Sequence, residues 1–132
     1  MEKQFFNPSN THRPRGYTHA VAVDSDRLVF IAGQVALDQD GNLVGKGDLR
    51  MQTEKALDNM VAALAAAGAT PADVVKLNTY VVNYGPAAYP IIREARARVF
   101  DAQNPPASTL IGVPALAMEG LLIEIEAIAA LK

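Results

Sequence analysis

The order of strand-like and helix-like segments predicts an α+β or mixed α/β domain. Three observations support this: a continuous apolar segment that suits a buried strand, two segments with helical spacing of apolar residues, and alternating segments around them. Along the 132 residues they follow the order β-β-α-β-α-β-β. The length fits one domain, residues 1–132, and the 50% hydrophobic content is typical of globular proteins.

Two strands are predicted near the start of the chain, at residues 17–23 and 28–32. The turn between them is Asp24-Ser25-Asp26, and a further short strand is expected at residues 4–6. The segment 28–32 is apolar at every position, whereas a strand with one wet face alternates. We therefore expect both faces of this strand to be covered.

The first helix is predicted from Asp48, which can cap it, to about Ala67. One stripe at 3.6-residue spacing consists of Leu49, Thr53, Ala56, Met60, Leu64 and Ala67. Gly68 follows, where a left-handed residue can end a helix. Residues 74–82 alternate as a strand does.

The second helix is predicted at about residues 87–102. Its core stripe consists of Ala88, Ile91, Ile92, Ala95, Val99 and Ala102. A second stripe on the opposite side consists of Tyr89, Arg93, Arg96 and Phe100. Two interpretations stay open: a solvated face with two aromatic residues, or a contact face toward another subunit or a ligand. Residues 107–113 and 121–130 predict the last two strands.

Two helices can cover only one face of a sheet built from these strands. Because several strands are apolar on both sides, something outside the chain has to cover the second face. Symmetric self-association is the simplest source of that cover.

The composition excludes several classes of function. With no Cys and two His, the chain lacks disulfides, thiolate metal sites and Cys nucleophiles, and a His-rich metal centre is disfavoured. A net charge of −2 argues against a nucleic-acid-binding surface and a polybasic membrane anchor. No segment has the apolar length of a membrane span or a signal peptide, so we expect a cytoplasmic protein.

The most informative segment is the last strand, where Glu124 and Glu126 stand in an otherwise apolar run and share one face. Burying a carboxylate is costly unless it is paired or hydrogen-bonded. For Glu126, a bridge to Lys76 on a neighbouring strand is a structural explanation. For Glu124, a role in moving protons is at least as good an explanation as a structural one.

Weaker signals lie near two other strands. Gly33 ends the apolar strand, where exposed amides can hold an anion, although glycine there is more often only a turn residue. Tyr17 precedes the first long strand and can pack or donate to a ligand. His12 and His19 are expected to be surface or hydrogen-bonded residues rather than catalytic ones.

Together these segments resemble the Rid/YjgF family, the reactive-intermediate deaminases, also labelled endoribonuclease L-PSP. The residues that carry the likeness span nearly the whole chain: Gly16-Tyr17, Ala32-Gly33-Gln34, Thr53 to Gly68, Asp73-Val74-Val75-Lys76, Pro106-Ala107-Ser108 and Ile123-Glu124-Ile125-Glu126-Ala127-Ile128-Ala129. The last motif is the most specific one.

The resemblance implies a chorismate-mutase-like fold of the bacillus type: a mixed six-stranded sheet with two helices on one face. It also implies a homotrimer whose three sheets form a central barrel, with ligand clefts between subunits. In the family these clefts hydrolyse imine or enamine acids such as 2-aminoacrylate to 2-keto acids and ammonia. The resemblance implies no metal and no organic cofactor.

The sequence departs from the deaminase pattern at the end of the cleft that binds the carboxylate. Active members have Pro-Ala-Arg-Ser, and the position of that Arg is Ser108 here, so a bidentate cation is replaced by a neutral hydroxyl. The family's Ser before Gly-Gln is Ala32, and its helical Asn corresponds by an ungapped count to Arg93. Tyr17, Gly33 and Glu124 keep the family residue types.

The resemblance thus favours a trimeric hydrolase of small imine, enamine or related C–N substrates. Glu124 would activate water, Tyr17 would hydrogen-bond the substrate, the amides around Gly33 would hold an oxygen, and Arg93 would replace the missing cation. The alternative is a non-catalytic small-molecule-binding or regulatory protein on the same trimer. A ribonuclease, the family's older label, is disfavoured by the net charge.

Overall fold

The computed structural model describes residues 2–132 and confirms the α+β class. In chain order the elements are β1 (Lys3–Phe6), β2 (Ala20–Val23), β3 (Arg27–Gln34), α1 (Leu49–Ala66), β4 (Val74–Val82), α2 (Ala88–Ala97), β5 (Ala107–Val113) and β6 (Ile123–Leu131). A short 3-10 helix, Pro71–Asp73, leads into β4.

The main sheet has the strand order β3-β6-β4-β5, with β6 and β4 in the centre. The pairs β3–β6 and β6–β4 are antiparallel, whereas β4 and β5 are parallel, so the sheet is mixed as predicted. The parallel pair follows from the connection, because α2 carries the chain back to the end of the sheet where β4 begins.

The single six-stranded sheet that the resemblance implied is wrong in one respect, because β1 and β2 form a separate two-stranded sheet. The segment that leads into β2 starts beside β5, where Thr18 pairs with Ala107. Strand β3 lies at the opposite edge of the sheet, and Asp26 at its start is hydrogen-bonded to Leu131. The chain therefore crosses the end of the sheet between these points, and β2 does not pair with β3.

Both helices pack on the same face of the main sheet. Every second residue of β6 enters the core there, which also holds apolar side chains of β4 and both helices; among its members are Ile123, Ile125, Ala127, Leu77, Leu57, Met60, Leu64, Ile92 and Ala95. Helix α1 begins where the sequence predicts, since Asp48 Oδ1 accepts a hydrogen bond from the Met51 amide at 3.0 Å. Gly68, with φ +79°, follows its end.

The other face of the main sheet is not covered within the chain. Phe30 on β3 is 71% exposed and Leu28 is 54% exposed, while Ile111 on β5 is 47% exposed. The sequence predicts that both faces of β3 are covered. Within the chain only the face toward the helices is covered. Large apolar side chains at this exposure mark a surface that can bind another chain.

Helix α2 is shorter than predicted and ends at Ala97 rather than near Ala102. Arg96 and Phe100, which the sequence placed on a stripe opposite the core, are both buried, and Phe100 belongs to the core cluster. The Phe100 amide donates to the Arg96 carbonyl at 3.0 Å, a helical spacing that keeps Phe100 one turn after Arg96, and the loop at Gly16 lies over the Arg96 guanidinium. The interpretation of this stripe as a solvated face is therefore wrong for these two residues.

The core packing leads to a stability prediction for two methionines of α1. Met60 is fully buried in the core, whereas Met51 is 48% exposed. We expect Met60→Ala to lower the free energy of unfolding by about 2–5 kcal/mol, because it leaves a cavity in the core. Met51→Ala, the matched control, should change it by about 0.5 kcal/mol or less. Urea unfolding at one protein concentration measures both, and equal losses would contradict the assigned core.

Candidate functional site

Glu124 lies half-buried on the open face of the main sheet, against the backbone of β3. The β3–β6 ladder shifts register between Ile31 and Gln34, which brings Gly33 next to this carboxylate. A Cβ atom on Gly33 would stand 2.6 Å from Cδ and 2.8 Å from Cγ of Glu124. A larger residue would fit only if the Glu124 side chain moved, so close approach rather than a positive φ favours glycine here.

Ala32 lies exposed beside Gly33, at the same shift in register. Its carbonyl accepts a hydrogen bond from Gln34 Nε2 at 3.0 Å. The structure thus brings three residues with predicted roles together: Ala32, Gly33 and Glu124. Among residues 2–132 we find no hydrogen bond to the Glu124 carboxylate, which leaves it free to bind water or a ligand.

Glu126, two residues further along the same face, is held by its neighbours. It accepts hydrogen bonds from Asn78 Nδ2 at 3.3 Å and from the hydroxyl of Tyr80, both on β4. The suggested bridge to Lys76 is wrong, because Asn78 stands opposite Glu126 and Lys76 Nζ donates to Thr109 Oγ1 instead. The hydrogen bond to Glu126 raises the pKa of Tyr80, so this hydroxyl keeps its proton and remains a donor.

Ser108 lies on the opposite face of the sheet from Glu124. It pairs with the core residue Leu77 across the β4–β5 ladder, and its Oγ accepts a hydrogen bond from Nη1 of Arg96 at 3.1 Å. Arg96 is only 6% exposed. The position at which the family resemblance implies an arginine thus carries a hydroxyl that contacts a buried arginine from α2.

A cavity of about 150 Å³ lies next to these two residues, between α2, the start of β5 and the loop before β2. Its lining is mostly apolar but contains two arginines, Arg93 and Arg96. The full set of lining residues is Gly16, Leu77, Arg93, Arg96, Ala97, Phe100, Asp101, Ala102, Pro105, Pro106 and Ser108. Arg93 is exposed and lies at the edge of this cavity rather than inside it. Arg93 and Ser108 thus line the same cavity, and the anion-binding role expected of Arg93 stays a prediction.

Tyr17 lies on the same side as the cavity, in the loop that covers it. Its hydroxyl shares a hydrogen bond of 2.5 Å with His12 Nε2, and His19 Nε2 donates to the His12 carbonyl at 2.8 Å. The segment is anchored to the start of β5, since the Thr18 amide donates to the Pro106 carbonyl at 3.2 Å. The predicted hydrogen-bonded state of both histidines thus agrees with this arrangement.

The predicted site is therefore divided between the two faces of one sheet. Ala32, Gly33 and Glu124 lie on the open face, whereas Arg93 and Ser108 lie on the helix side with Tyr17 nearby. Side chains on opposite faces of a sheet cannot meet through it. One chain alone does not bring all the predicted residues into a common cleft.

Arg96 is the site residue that sequence reasoning missed. The available signal was its helical spacing with Arg93 and Tyr89, which marked a possible contact face without assigning this residue a role. Sequence spacing could not show that α2 ends directly after it and turns its side chain under the loop at Gly16.

Two further searches cover the described part of the chain. Within residues 2–132, no three His, Asp or Glu side chains are grouped so that they could hold a metal ion. Neither α1 nor α2 combines the length and apolar character of a membrane-crossing helix.

Comparison with known proteins places the chain in a family. The sequence profile described as Endoribonuclease L-PSP matches residues 10–131. The chain belongs to the Rid/YjgF family. Among its relatives in this family is a RutC family protein of Pyrococcus horikoshii, which is 34% identical over 96% of this chain and 97% of its own length.

Two other Rid/YjgF proteins are informative about fold and activity. The structure of the Rid-family protein YyfB from Yersinia pestis matches with a TM-score of 0.93 and 47% identity, over 99% of this chain and 100% of its own. A protein of Dermatophagoides farinae named 2-iminobutanoate/2-iminopropanoate deaminase is 31% identical over 88% of this chain and 86% of its own length. The family resemblance is thereby confirmed, together with the α+β fold of two helices and a mixed sheet.

The contact between Gly33 and Glu124 leads to a prediction that a double-mutant cycle can test. Gly33→Ala should lower the free energy of unfolding by about 1–3 kcal/mol, because the new methyl group overlaps the Glu124 side chain. In a Glu124→Ala background the same change should cost about 0.5 kcal/mol or less. Urea unfolding of the four proteins measures the coupling, and an equal cost in both backgrounds would show that the two residues are not in contact.

Proposed function

We propose that this protein is a hydrolase of small reactive imines, enamines or related C–N compounds, a deaminase that acts in clefts between subunits. The observation that carries the proposal is the carboxylate of Glu124, half-buried in an apolar strand, pressed against Gly33 and free of internal partners. Family membership and the deaminase name of a relative support the same reaction class.

In the proposed reaction, water adds to the carbon of a C=N bond and the product is a carbonyl compound plus ammonia. Glu124 accepts a proton from the attacking water, which forms a new C–O bond as the C=N electron pair moves to nitrogen. The same carboxyl returns that proton to nitrogen, which gives a carbinolamine. It then carries the carbinolamine hydroxyl proton to nitrogen as the C=O bond forms, so the C–N bond breaks and ammonia leaves. An enamine would first take a proton at carbon to become the imine.

The remaining roles follow the predicted site. The Tyr17 hydroxyl would hydrogen-bond the substrate, while the backbone amides beside Ala32 and Gly33 would hold the developing oxygen. Arg93 and Ser108 would line the end of the cleft that faces the rest of the substrate. The reaction as written uses water and side chains, and we propose it without a metal or an organic cofactor.

A cleft between copies of the chain would unite the two halves of the site. Glu124 on one chain can face Tyr17, Arg93 and Ser108 only if these belong to a neighbouring chain, because within one chain the sheet separates them. The exposed Leu28, Phe30 and Ile111 on the open face supply an apolar surface for that contact. A homotrimer, the assembly that the family resemblance implies, would bury this face in a central barrel.

The hydroxyl of Ser108 bears on the choice of substrate. Active deaminases of the resembled pattern use an arginine at this position, and a hydroxyl cannot form two charged hydrogen bonds with a carboxylate. We therefore propose that 2-aminoacrylate is a poor substrate unless another cation compensates. The alternative function, a non-catalytic binder of small molecules, predicts binding of keto acids without release of ammonia.

The proposed assembly leads to a prediction about mass in solution. Light scattering at micromolar concentration should give about three times the 14.1 kDa chain mass. Phe30→Asp should shift the protein toward smaller species, because it places a charge on the surface proposed to be buried. A stable monomer for the unmodified protein would contradict the assembly, and Met51→Ala on the helix side should leave the mass unchanged.

The role of Glu124 predicts a loss of activity on Glu124→Gln. Ammonia release from freshly generated imino acids should fall by about 10²-fold or more, because the amide keeps the shape of the side chain but cannot accept the proton. Glu126→Gln is the matched control on the same strand and face, and it should retain most of the activity. A Glu124→Gln protein of unchanged mass and unchanged rate would refute the proposed role.

A further inference from the structure

Among residues 2–132 the buried guanidinium of Arg96 has no acidic partner. It is 6% exposed, and within residues 2–132 the ion pairs involve Arg50, Arg98 and Lys132 instead. A buried charge is normally paired with an opposite charge, because its desolvation is otherwise uncompensated. Arg96 is thus a buried cation without the anion that would normally accompany it.

The neighbours of Arg96 are neutral or positive. Its Nη1 donates to the neutral hydroxyl of Ser108, and its Nη2 lies near the backbone of Gly16, 3.7 Å from where a Cβ would stand. Burial lowers the pKa of Arg96, the Tyr89 hydroxyl opposes that change and the charge of Arg93 adds to it. An arginine stays protonated despite such a change, so a positive charge remains in the cavity wall.

Asp101 is the one acidic residue that lines the cavity, and it does not neutralise this charge. Its side chain is exposed and Oδ1 accepts a hydrogen bond from the Gln103 amide at 2.9 Å. It also lies outside ion-pair distance of both arginines. The cavity therefore combines two cations, the half-buried hydroxyl of Ser108 and mostly apolar walls.

We infer that this cavity binds the carboxylate of a small organic acid, and that Arg96 rather than Ser108 or Arg93 is the residue that holds it. A guanidinium offers five donors in a planar fork, and its contacts with the Ser108 and Tyr89 hydroxyls leave further N–H groups available. The space of about 150 Å³ admits a ligand of roughly benzene size, which corresponds to an acid of about two to four carbons.

Ser108 acquires a definite part in this arrangement. Its Oγ accepts a hydrogen bond from Nη1 of Arg96 and so orients the guanidinium plane. Because serine is small, it also leaves room for the Arg96 side chain, which extends from α2. Arg93 at the cavity edge would attract the anion from solvent, with a weaker effect because exposed charges are screened. The positive charge missing from β5 is thus supplied by the helix that packs over it.

The inference rests on the proposed function only where it identifies the bound acid with the substrate or its keto-acid product. Binding by itself is independent of turnover. A substrate with a free carboxylate would place that group at Arg96 and its C=N carbon toward the Glu124 of a neighbouring chain. Neutral imines would lack this anchor.

The test is calorimetric titration of the assembled protein with pyruvate, 2-oxobutanoate and the neutral analogue pyruvamide. We expect both acids to bind and pyruvamide to bind at least about tenfold more weakly. Arg96→Met should weaken acid binding by at least about tenfold, and Arg93→Gln by less. Arg98→Gln, which alters an exposed arginine paired with Glu54, is the matched control and should leave binding unchanged.

Thermal unfolding distinguishes a ligand from a carboxylate of a partner subunit. If Arg96 awaits a ligand, Arg96→Met without acid should be as stable as the unmodified protein or more so, and added pyruvate should no longer raise its Tm. If Arg96→Met dissociates the assembly or lowers its Tm strongly, the charge is paired across an interface and the inference is wrong.

Arg96→Lys covers the case in which the methionine variant does not fold. It keeps the charge but loses the fork, so acid binding should weaken while pyruvamide binding stays the same. Unchanged acid binding in either variant overturns the inference. Glu124→Gln should still bind the acids. Acid binding by the unmodified protein without any release of ammonia from imino acids counts against the proposed hydrolysis alone.

Discussion

The alternation along β6 is the constraint on which the rest of the structure depends. This strand lies between β3 and β4, and every second residue from Ile123 to Ala129 enters a core covered by both helices. Its remaining side chains, Glu124 and Glu126 among them, therefore point to the uncovered face. Because one register serves both faces, a shift by one residue would expose the core and bury two carboxylates.

The two glutamates of β6 differ in their hydrogen bonding because they have different neighbours. Asn78 and Tyr80 on β4 hydrogen-bond Glu126, which stabilises it as part of the sheet. Glu124 instead meets a glycine on β3 and keeps its lone pairs free. The proton transfer that we propose is therefore placed on Glu124, because a carboxylate that already accepts hydrogen bonds, as Glu126 does, is less available to water.

The fold and half of the candidate site could be predicted from the sequence. The apolar spacing of α1, its cap at Asp48 and the two-residue period of β4 and β6 are local signals that the structure reproduces. The partition into two sheets was not predictable from the turn at Asp24-Ser25-Asp26, because the path of β2 depends on pairing between Thr18 and Ala107, which lie far apart in the chain. The partners of Glu126 are Asn78 and Tyr80 rather than the predicted Lys76, and this too depends on the register of β4 against β6.

Taken alone, the sequence determined the α+β class, the helices, the family likeness and the presence of a carboxylate in an apolar strand, because each of these depends on local period or on residue type. Only the tertiary structure decided that Arg96 is buried beside Ser108 and that Glu124 lies on the other side of the sheet. Both facts depend on where α2 ends and on which face each strand turns to the core. A charge that helical spacing alone places on a solvated stripe becomes a desolvated cation when the loop at Gly16, distant in the chain, lies over its side chain.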